Sequence, residues 1–192
     1  MKRIGILSSH NGSGFDTIQK ACENKELNAQ IVLTISNNSN AKVLEKARNN
    51  NIPNFIVNAA KYPEENLDKI ITKLMQEFKV DYIFLSGFMK KIEKNLISSF
   101  ENKIINSHPA LLPKFGGKGM YGSNVHKAVI DKCETESGCT IHFVNENYDE
   151  GEYILQKKIL LDKNENIESL ENKIKKLESE TIIQALKILI NK

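Results

Sequence analysis

The chain is predicted to be an α/β protein, with a mostly parallel twisted sheet, helices on both faces and an antiparallel region near the C-terminus. Three observations carry that prediction. Residues 4–7, 31–35 and 82–85 are short, almost continuously apolar runs, as expected of strands buried on both faces. Between such runs lie stretches with apolar residues three and four apart, the spacing of amphipathic helices. Late in the chain, two strand-like runs follow each other across only a polar turn, so they pair antiparallel. At 192 residues the chain suits a single domain with a substantial core.

Taken in order, residues 3–8 form a first strand, which runs into the polar glycine-containing turn 8–14. A helix over 15–23 is marked by Phe15, Ile18 and Cys22. Residues 29–36 are the second strand, 37–40 a polar turn, and 41–50 a helix with Val43, Leu44 and Ala47. A short third strand, 55–57, follows Pro53. Pro63 and Glu64 suit the start of the next helix, whose stripe is Leu67, Ile70, Ile71, Leu74 and Phe78. Residues 82–86 are the fourth strand, 92–100 a short helix and 104–107 the fifth strand. A loop over 114–122 holds four glycines and precedes a helix over 124–132. Strands over 139–144 and 153–160 flank the turn 145–151. A final helix, 167–190, carries Ile167, Leu170, Ile174, Leu177, Leu186 and Leu189, a stripe that widens after Thr181 and packs on a sheet. There is no internal repeat, low-complexity segment or linker.

Composition narrows the function. Hydrophobic content of 40% and charged content of 27% are ordinary for a soluble globular protein. A formal charge of +3 without a dense basic block argues against nucleic-acid binding. Cys22, Cys133 and Cys139 form no CxxC pair, which disfavours a disulfide framework or structural zinc and fits a reducing compartment. No run suits a signal peptide or a membrane span, so a cytoplasmic location is expected.

Three features could carry chemistry. Asn106 and His108 stand at the end of the fifth strand, where alternation points both the same way and Pro109 keeps His108 out of helical geometry. An amide donor beside an imidazole can polarise a carbonyl and move a proton; the pair can equally be a capped strand end. The turn Asn11-Gly12-Ser13-Gly14 between strand and helix offers backbone N–H groups and a positive helix end to an anion. It lacks a full dinucleotide fingerprint, and an ordinary turn reads the same. In a doubly wound sheet, ligands bind beyond the carboxyl ends of strands, so the turn and Asn106/His108 are expected to share one cleft. Asp149, in the turn Tyr148-Asp149-Glu150-Gly151, is either solvated or brought to His108, where it would orient the ring and raise its pKa. His142 is expected to pair locally or pack, His126 to be structural, and His10 has no assigned part.

Together these residues resemble the folate-dependent formyltransferase family. The resemblance rests on Asn106-Ser-His-Pro-Ala-Leu-Leu-Pro113, Thr140-Ile-His-Phe-Val144 and Asp149-Glu-Gly151, and runs from Lys2 to beyond Glu178. Asn11-Gly-Ser13 and Ser86-Gly-Phe-Met-Lys90 resemble the branch that formylates glycinamide ribonucleotide. The resemblance implies a single-domain formyltransferase fold with a Rossmann-like sheet over 1–192. Residues 1–100 would be its phosphate-binding half and 101–192 its catalytic and folate-binding half. It implies direct transfer of a formyl group from 10-formyltetrahydrofolate to the ribonucleotide amine in purine biosynthesis, with no covalent enzyme intermediate and no metal. Asn106, His108 and Asp149 would be the catalytic trio, with Asn106 and a protonated His108 stabilising the oxyanion and Asp149 holding His108 cationic. Gly12, Ser13 and Gly14 would take the phosphate through backbone N–H groups, with Glu178 at the ribose and Lys175 near the phosphate or ribose. Met89, Lys90, Lys91 and Ile92 would flank the pterin, and Asn106, Asn145, Glu146, Asn147, Tyr148 and Asp149 would complete the folate site. Its partners would be small molecules, neither nucleic acid nor membrane, and the protein a monomer or homodimer.

Gly14 stands where many members of the family carry Asn, and Glu65 lies where some have a folate-contacting Arg. The rival readings are a tRNA-directed formyltransferase, a formyltetrahydrofolate hydrolase, a non-catalytic nucleotide-binding module, and a metal site built from His108, His126, His142 and Asp149. The glycine loop over 115–122 is expected to act as a lid.

Overall fold

The computed structural model describes residues 1–191. The chain divides into two compact units, residues 1–105 and 106–191. The first alternates strands and helices: β1 (Lys2–Leu7), α1 (Ser13–Glu23), β2 (Ala29–Ser36), α2 (Lys42–Asn49), β3 (Asn54–Ile56), α3 (Leu67–Glu77), β4 (Tyr82–Leu85) and α4 (Lys94–Ser99). β5 (Ile104–His108) crosses the boundary. The second unit continues with α5 (Ser123–Asp131), β6 (Glu136–Phe143), β7 (Tyr153–Leu160) and α6 (Ile167–Ile190). The sheet order is β3-β2-β1-β4-β5-β6-β7. β1 pairs in parallel with β2 on one side and β4 on the other, so Ile6 faces both Thr34 and Phe84. β6 and β7 are antiparallel, from Glu136 opposite Leu160 to His142 opposite Tyr153. This is the predicted class, a mostly parallel α/β sheet with an antiparallel C-terminal region.

Sequence explains the layering. Ile4, Ile6 and Leu7 of β1 are fully buried, as are Leu33 and Ile35 of β2 and Ile83 of β4. A strand between two parallel neighbours has no solvent face, hence the unbroken apolar runs. Helix α3 presses on β1 so closely that a Cβ at Gly5 would lie 2.5 Å from the Met75 sulfur. On α6 the buried residues are Leu170 and Ile174 early, then Thr181, Ile182, Ala185, Leu186 and Leu189, which reproduces the widening stripe.

Several boundaries shift by one to four residues from the sequence reading, and three of the shifts have a visible cause. Helix α3 begins at Leu67 rather than at Pro63, because Asn66 Oδ1 accepts the Lys69 N–H at 2.9 Å and acts as N-cap. Upstream, Lys61 and Tyr62 donate to the Asn58 carbonyl in a turn. Strand β6 starts at Glu136, three residues before Cys139, because Ser137 and Gly138 pair with Ile159 and Lys158. Its polar start concealed it, and Gly138 is required there: a Cβ would lie 2.1 Å from the Lys157 carbonyl oxygen. Helix α4 is only six residues long and begins at Lys94. Its first turn is held from outside, since buried Asp68 on α3 accepts the N–H groups of Asn95 and Leu96 at 2.8 and 3.3 Å.

Asp68→Ala strands those two donors and is expected to cost about 2 kcal/mol in urea denaturation, with Asp68→Asn costing less because one acceptor survives. An unchanged midpoint for the alanine variant would contradict this role.

Candidate active site

Strand alternation sorts the three residues at the end of β5. Asn106 and His108 point toward one cluster while Ser107, between them, points toward another. In the first cluster, His108 is 3% exposed and its Nε2 lies 2.8 Å from the Phe115 carbonyl oxygen. A carbonyl only accepts, so Nε2 carries the proton and Nδ1 faces Asp149 Oδ2 at 3.5 Å. His142, 2% exposed on β6, repeats the arrangement. Its Nδ1 donates to its neighbour's carbonyl, Phe143, at 2.8 Å, leaving Nε2 to accept from Asn106 Nδ2 at 3.2 Å. Asp149 Oδ1 lies 3.5 Å from that same Nε2. The carboxylate therefore sits between two imidazoles, at distances where charge matters more than a shared hydrogen bond.

Asp149 reaches this position through a left-handed backbone (φ +58°) that directs its side chain back over the glycine loop. There Gly117 N–H donates to its Oδ2 at 2.9 Å. The loop comes this close because residue 116 lacks a side chain: a Cβ on Gly116 would lie 2.6 Å from Leu112 Cδ2 and 3.3 Å from Asp149 Cβ. Residues 115–117 thus supply a carbonyl to His108 and an amide to Asp149.

Electrostatics revise one expectation. Burial pulls the His108 pKa down; Asp149 and the Phe115 carbonyl oppose this, and His142 adds to the lowering. Burial prevails, so His108 titrates below its ordinary range and is neutral at pH 7. This direction runs against the expected cationic His108: the ring is shielded from water, and one carboxylate at 3.5 Å does not offset that. Burial works against ionised Asp149 too, but the adjacent His142 and His108 imidazoles, which favour the carboxylate when protonated, and the Gly117 amide together leave its pKa below the usual carboxylate value. Neutral His108 beside ionised Asp149 can accept a proton at Nδ1, where the new cation faces a carboxylate.

The second cluster lies around Ser107. Its hydroxyl donates to Glu178 Oε1 at 2.6 Å and lies 3.4 Å from Cys139 Sγ. Burial raises the Glu178 pKa despite opposing effects from Ser107 and Lys175. Burial also pushes the Cys139 thiol up to about 12, which rules it out as a nucleophile at neutral pH. Lys175 is exposed and pairs with Glu171 Oε1 at 2.6 Å, one turn away on α6.

In the first unit, Gly12 is the N-cap of α1 with φ +66°, and no side chain caps that helix end. A Cβ on Gly12 would lie 2.5 Å from Val43 Cγ2. Lys46 of α2 donates to the Asn11 carbonyl at 2.7 Å and pairs with Asp16. The Gly14 N–H is already given to Ser86 Oγ at 2.9 Å, so it is not the third backbone donor expected of the turn. Packing explains why position 14 is a glycine. A Cβ there would lie 2.5 Å from Phe84 Cε1. Of the segment matching the folate region, Met89, Lys90 and Lys91 are exposed and Ile92 is buried. Asn145, Glu146, Asn147 and Tyr148 are exposed, with Asn145 Oδ1 accepting the Asn147 N–H at 2.9 Å.

Two members of this constellation escaped the sequence reading. His142 pairs locally with Phe143, one of its two expected roles, but its further contacts with Asn106 and Asp149 were not foreseen. The Phe115 carbonyl leaves no side-chain signal at all. His126 is buried, and its Nδ1 has no hydrogen-bond partner. Among the described residues no group of three His, Cys, Asp or Glu side chains is arranged to hold a metal, and no helix is long and apolar enough to cross a membrane.

The family described as formyl transferase matches residues 2–186. The chain belongs to that family. It is 37% identical over 175 residues to a chloroplastic phosphoribosylglycinamide formyltransferase of Arabidopsis thaliana, covering 90% of this chain and 60% of that protein. A phosphoribosylglycinamide formyltransferase of Haemophilus influenzae is 34% identical over 179 residues, covering 93% and 82%. Glycinamide ribonucleotide transformylase 1 of Geobacillus kaustophilus superposes with a TM-score of 0.90 at 32% identity, with 99% of each chain covered. The chain spans about three fifths of the length of the plant relatives it matches.

Because the folded-state pKa values of His108 and His126 both lie below 6.5, the unfolded chain binds more protons as the pH falls below that value. Stability is therefore full above about pH 6.5 and declines as the pH falls through the two lowered values. His108→Gln and His126→Gln should each flatten part of that decline in melting temperature measured against pH. Profiles parallel to wild type would refute the assignment.

Proposed function

We propose that this chain transfers the formyl group of 10-formyltetrahydrofolate to the amine of glycinamide ribonucleotide in purine biosynthesis. The observation that carries the reading is the Asn106–His142–Asp149–His108 constellation, in a chain whose relatives are named for that activity. Attack of an amine on a formyl carbonyl builds negative charge on oxygen and leaves a proton on nitrogen. The Asn106 amide has two N–H groups, and giving one to His142 fixes its plane; the second is the donor for the developing oxyanion. A preorganised donor of this kind typically contributes about 3 kcal/mol to the transition state. Neutral His108 takes the amine proton at Nδ1 and Asp149 stabilises the resulting imidazolium. As the tetrahedral intermediate collapses, the bond between the formyl carbon and folate N10 breaks and the proton passes to N10, so tetrahydrofolate leaves.

Substrate binding is assigned by residue. The N–H groups of Gly12 and Ser13 at the α1 N-terminus take the phosphate, where the helix dipole favours an anion; Gly14 contributes its lack of a side chain rather than its N–H. Glu178 takes the ribose hydroxyls, with Lys175 nearby. Met89, Lys90, Lys91 and Ile92 and residues 145–149 hold the folate. In this reading residues 1–100 are the phosphate-binding half and 101–192 the catalytic and folate-binding half. A monomer or homodimer in the cytoplasm, a reducing compartment suited to three free cysteines, belongs to the same reading.

The test follows absorbance as the folate is deformylated. Rapid signal that requires the ribonucleotide supports transfer; equal signal without it would make the chain a hydrolase. His108→Ala should lower turnover by about a thousandfold, with ribonucleotide affinity within twofold of wild type. Wild-type turnover in that variant would exclude the mechanism. Glu178→Gln mimics the protonated carboxyl that burial favours and should keep the KM for ribonucleotide within about threefold, whereas Glu178→Ala should raise it about tenfold.

A further inference from the structure

We infer that Ser9 is a positioning residue that sets the main chain of the folate-contacting segment at Met89. The inference rests on the proposed formyl transfer and concerns a side chain given no part in it so far. Ser9 follows β1 and is 2% exposed. Its hydroxyl accepts the Met89 N–H at 2.8 Å and donates to Asn37 Oδ1 at 2.5 Å. Its own N–H donates to the Gly87 carbonyl at 3.1 Å, and its carbonyl accepts from Asn38 Nδ2 at 3.1 Å. Asn37 is held in turn, since Asn58 Nδ2 donates to its carbonyl at 3.1 Å. One buried serine thus gathers the chain ends after β1, β2 and β4, with Asn58 adding the segment after β3.

The geometry is specific to a hydroxyl. Met89 lies at the exit of β4 beyond Gly87, which takes a left-handed backbone (φ +66°). A segment leaving a strand through such a turn has no ladder to continue, so its amide needs an acceptor from elsewhere. Only a group that accepts and donates at once can take the Met89 N–H while being oriented by Asn37 Oδ1. Alanine at position 9 would leave the Met89 N–H and Asn37 Oδ1, both in part-buried bonds, without this partner, and the segment would shift toward water. Ser86 makes the matching connection, taking the Gly14 N–H. The phosphate turn and the Met89 segment are therefore joined through hydroxyls, not side-chain charges, and Ser9 governs the Met89 end.

Ser9→Ala should raise the KM for 10-formyltetrahydrofolate about fivefold, the equivalent of one lost hydrogen bond, with kcat and the KM for ribonucleotide within twofold of wild type. Ser9→Thr, which keeps the hydroxyl, should recover most of the loss. A parallel rise in both KM values, or no rise in either, would overturn the inference. A second measurement does not depend on activity. In Ser9→Ala, hydrogen exchange at the Met89 amide should accelerate at least tenfold while amides in α1 and β1 keep their protection. Unchanged exchange at Met89, or a general rise across β1, would equally overturn it. Wild-type protein that exchanges as expected but transfers no formyl group would sink the proposed function and leave Ser9's hold on Met89 standing.

Discussion

A carboxylate shielded from water has to be surrounded by groups that favour its charge, and Asp149 is where this chain meets that demand. Its side chain is 11% exposed, and its neighbours come from different parts of the second unit. A backbone amide of the glycine loop donates to it, and imidazoles from β5 and β6 stand 3.5 Å away, where each favours the carboxylate once it takes up a proton. Each of those groups is then fixed by a further contact, His108 by the Phe115 carbonyl and His142 by Phe143 and Asn106. Removing the charge would leave two buried rings and an amide without the interaction that orders them, so the cluster behaves as one unit. The same burial that makes Asp149 costly lowers the His108 pKa, so the protonation of that ring follows from how the site is packed.

How much of this could be read in advance depended on whether the cause was local. Continuous apolar runs announced the parallel strands, and alternation along residues 106–108 correctly separated Asn106 and His108 from Ser107. The start of β6 was invisible because Glu136, Ser137 and Gly138 are polar or bare, and only their partners on β7 make them a strand. The early boundary placed on α3 followed Pro63, a real preference that lost to the Asn66 cap. At the site, the limits were of another kind. His142 needed knowledge of which residue lay across from Asn106. The protonation of His108 needed burial, which is a property of the whole fold. A backbone carbonyl such as that of Phe115 carries no sequence signal in any protein.

Within the first unit, the loops that follow the parallel strands are held by small polar side chains. Ser9, Asn37, Asn38 and Asn58 bond to one another's main chain or side chain, and Ser86 accepts from the α1 terminus. Such groups are short, lose little rotamer freedom on burial and satisfy amides that the ladders leave unpaired. They leave the rims of the sheet exits open, where Ser13 and Met89 are exposed.

The contact between Gly14 and Phe84 constrains the order in which this chain can change. With Phe84 Cε1 2.5 Å from where a Cβ would stand, any residue larger than glycine at position 14 meets a fully buried aromatic ring. An asparagine there is sterically accessible only after position 84 has become smaller, and shrinking Phe84 first would open a cavity that costs stability until the asparagine fills part of it. Each single step is a descent and only the pair is tolerable. The turn and the strand are therefore coupled, so that a side chain at position 14 and a full-sized ring at position 84 exclude one another.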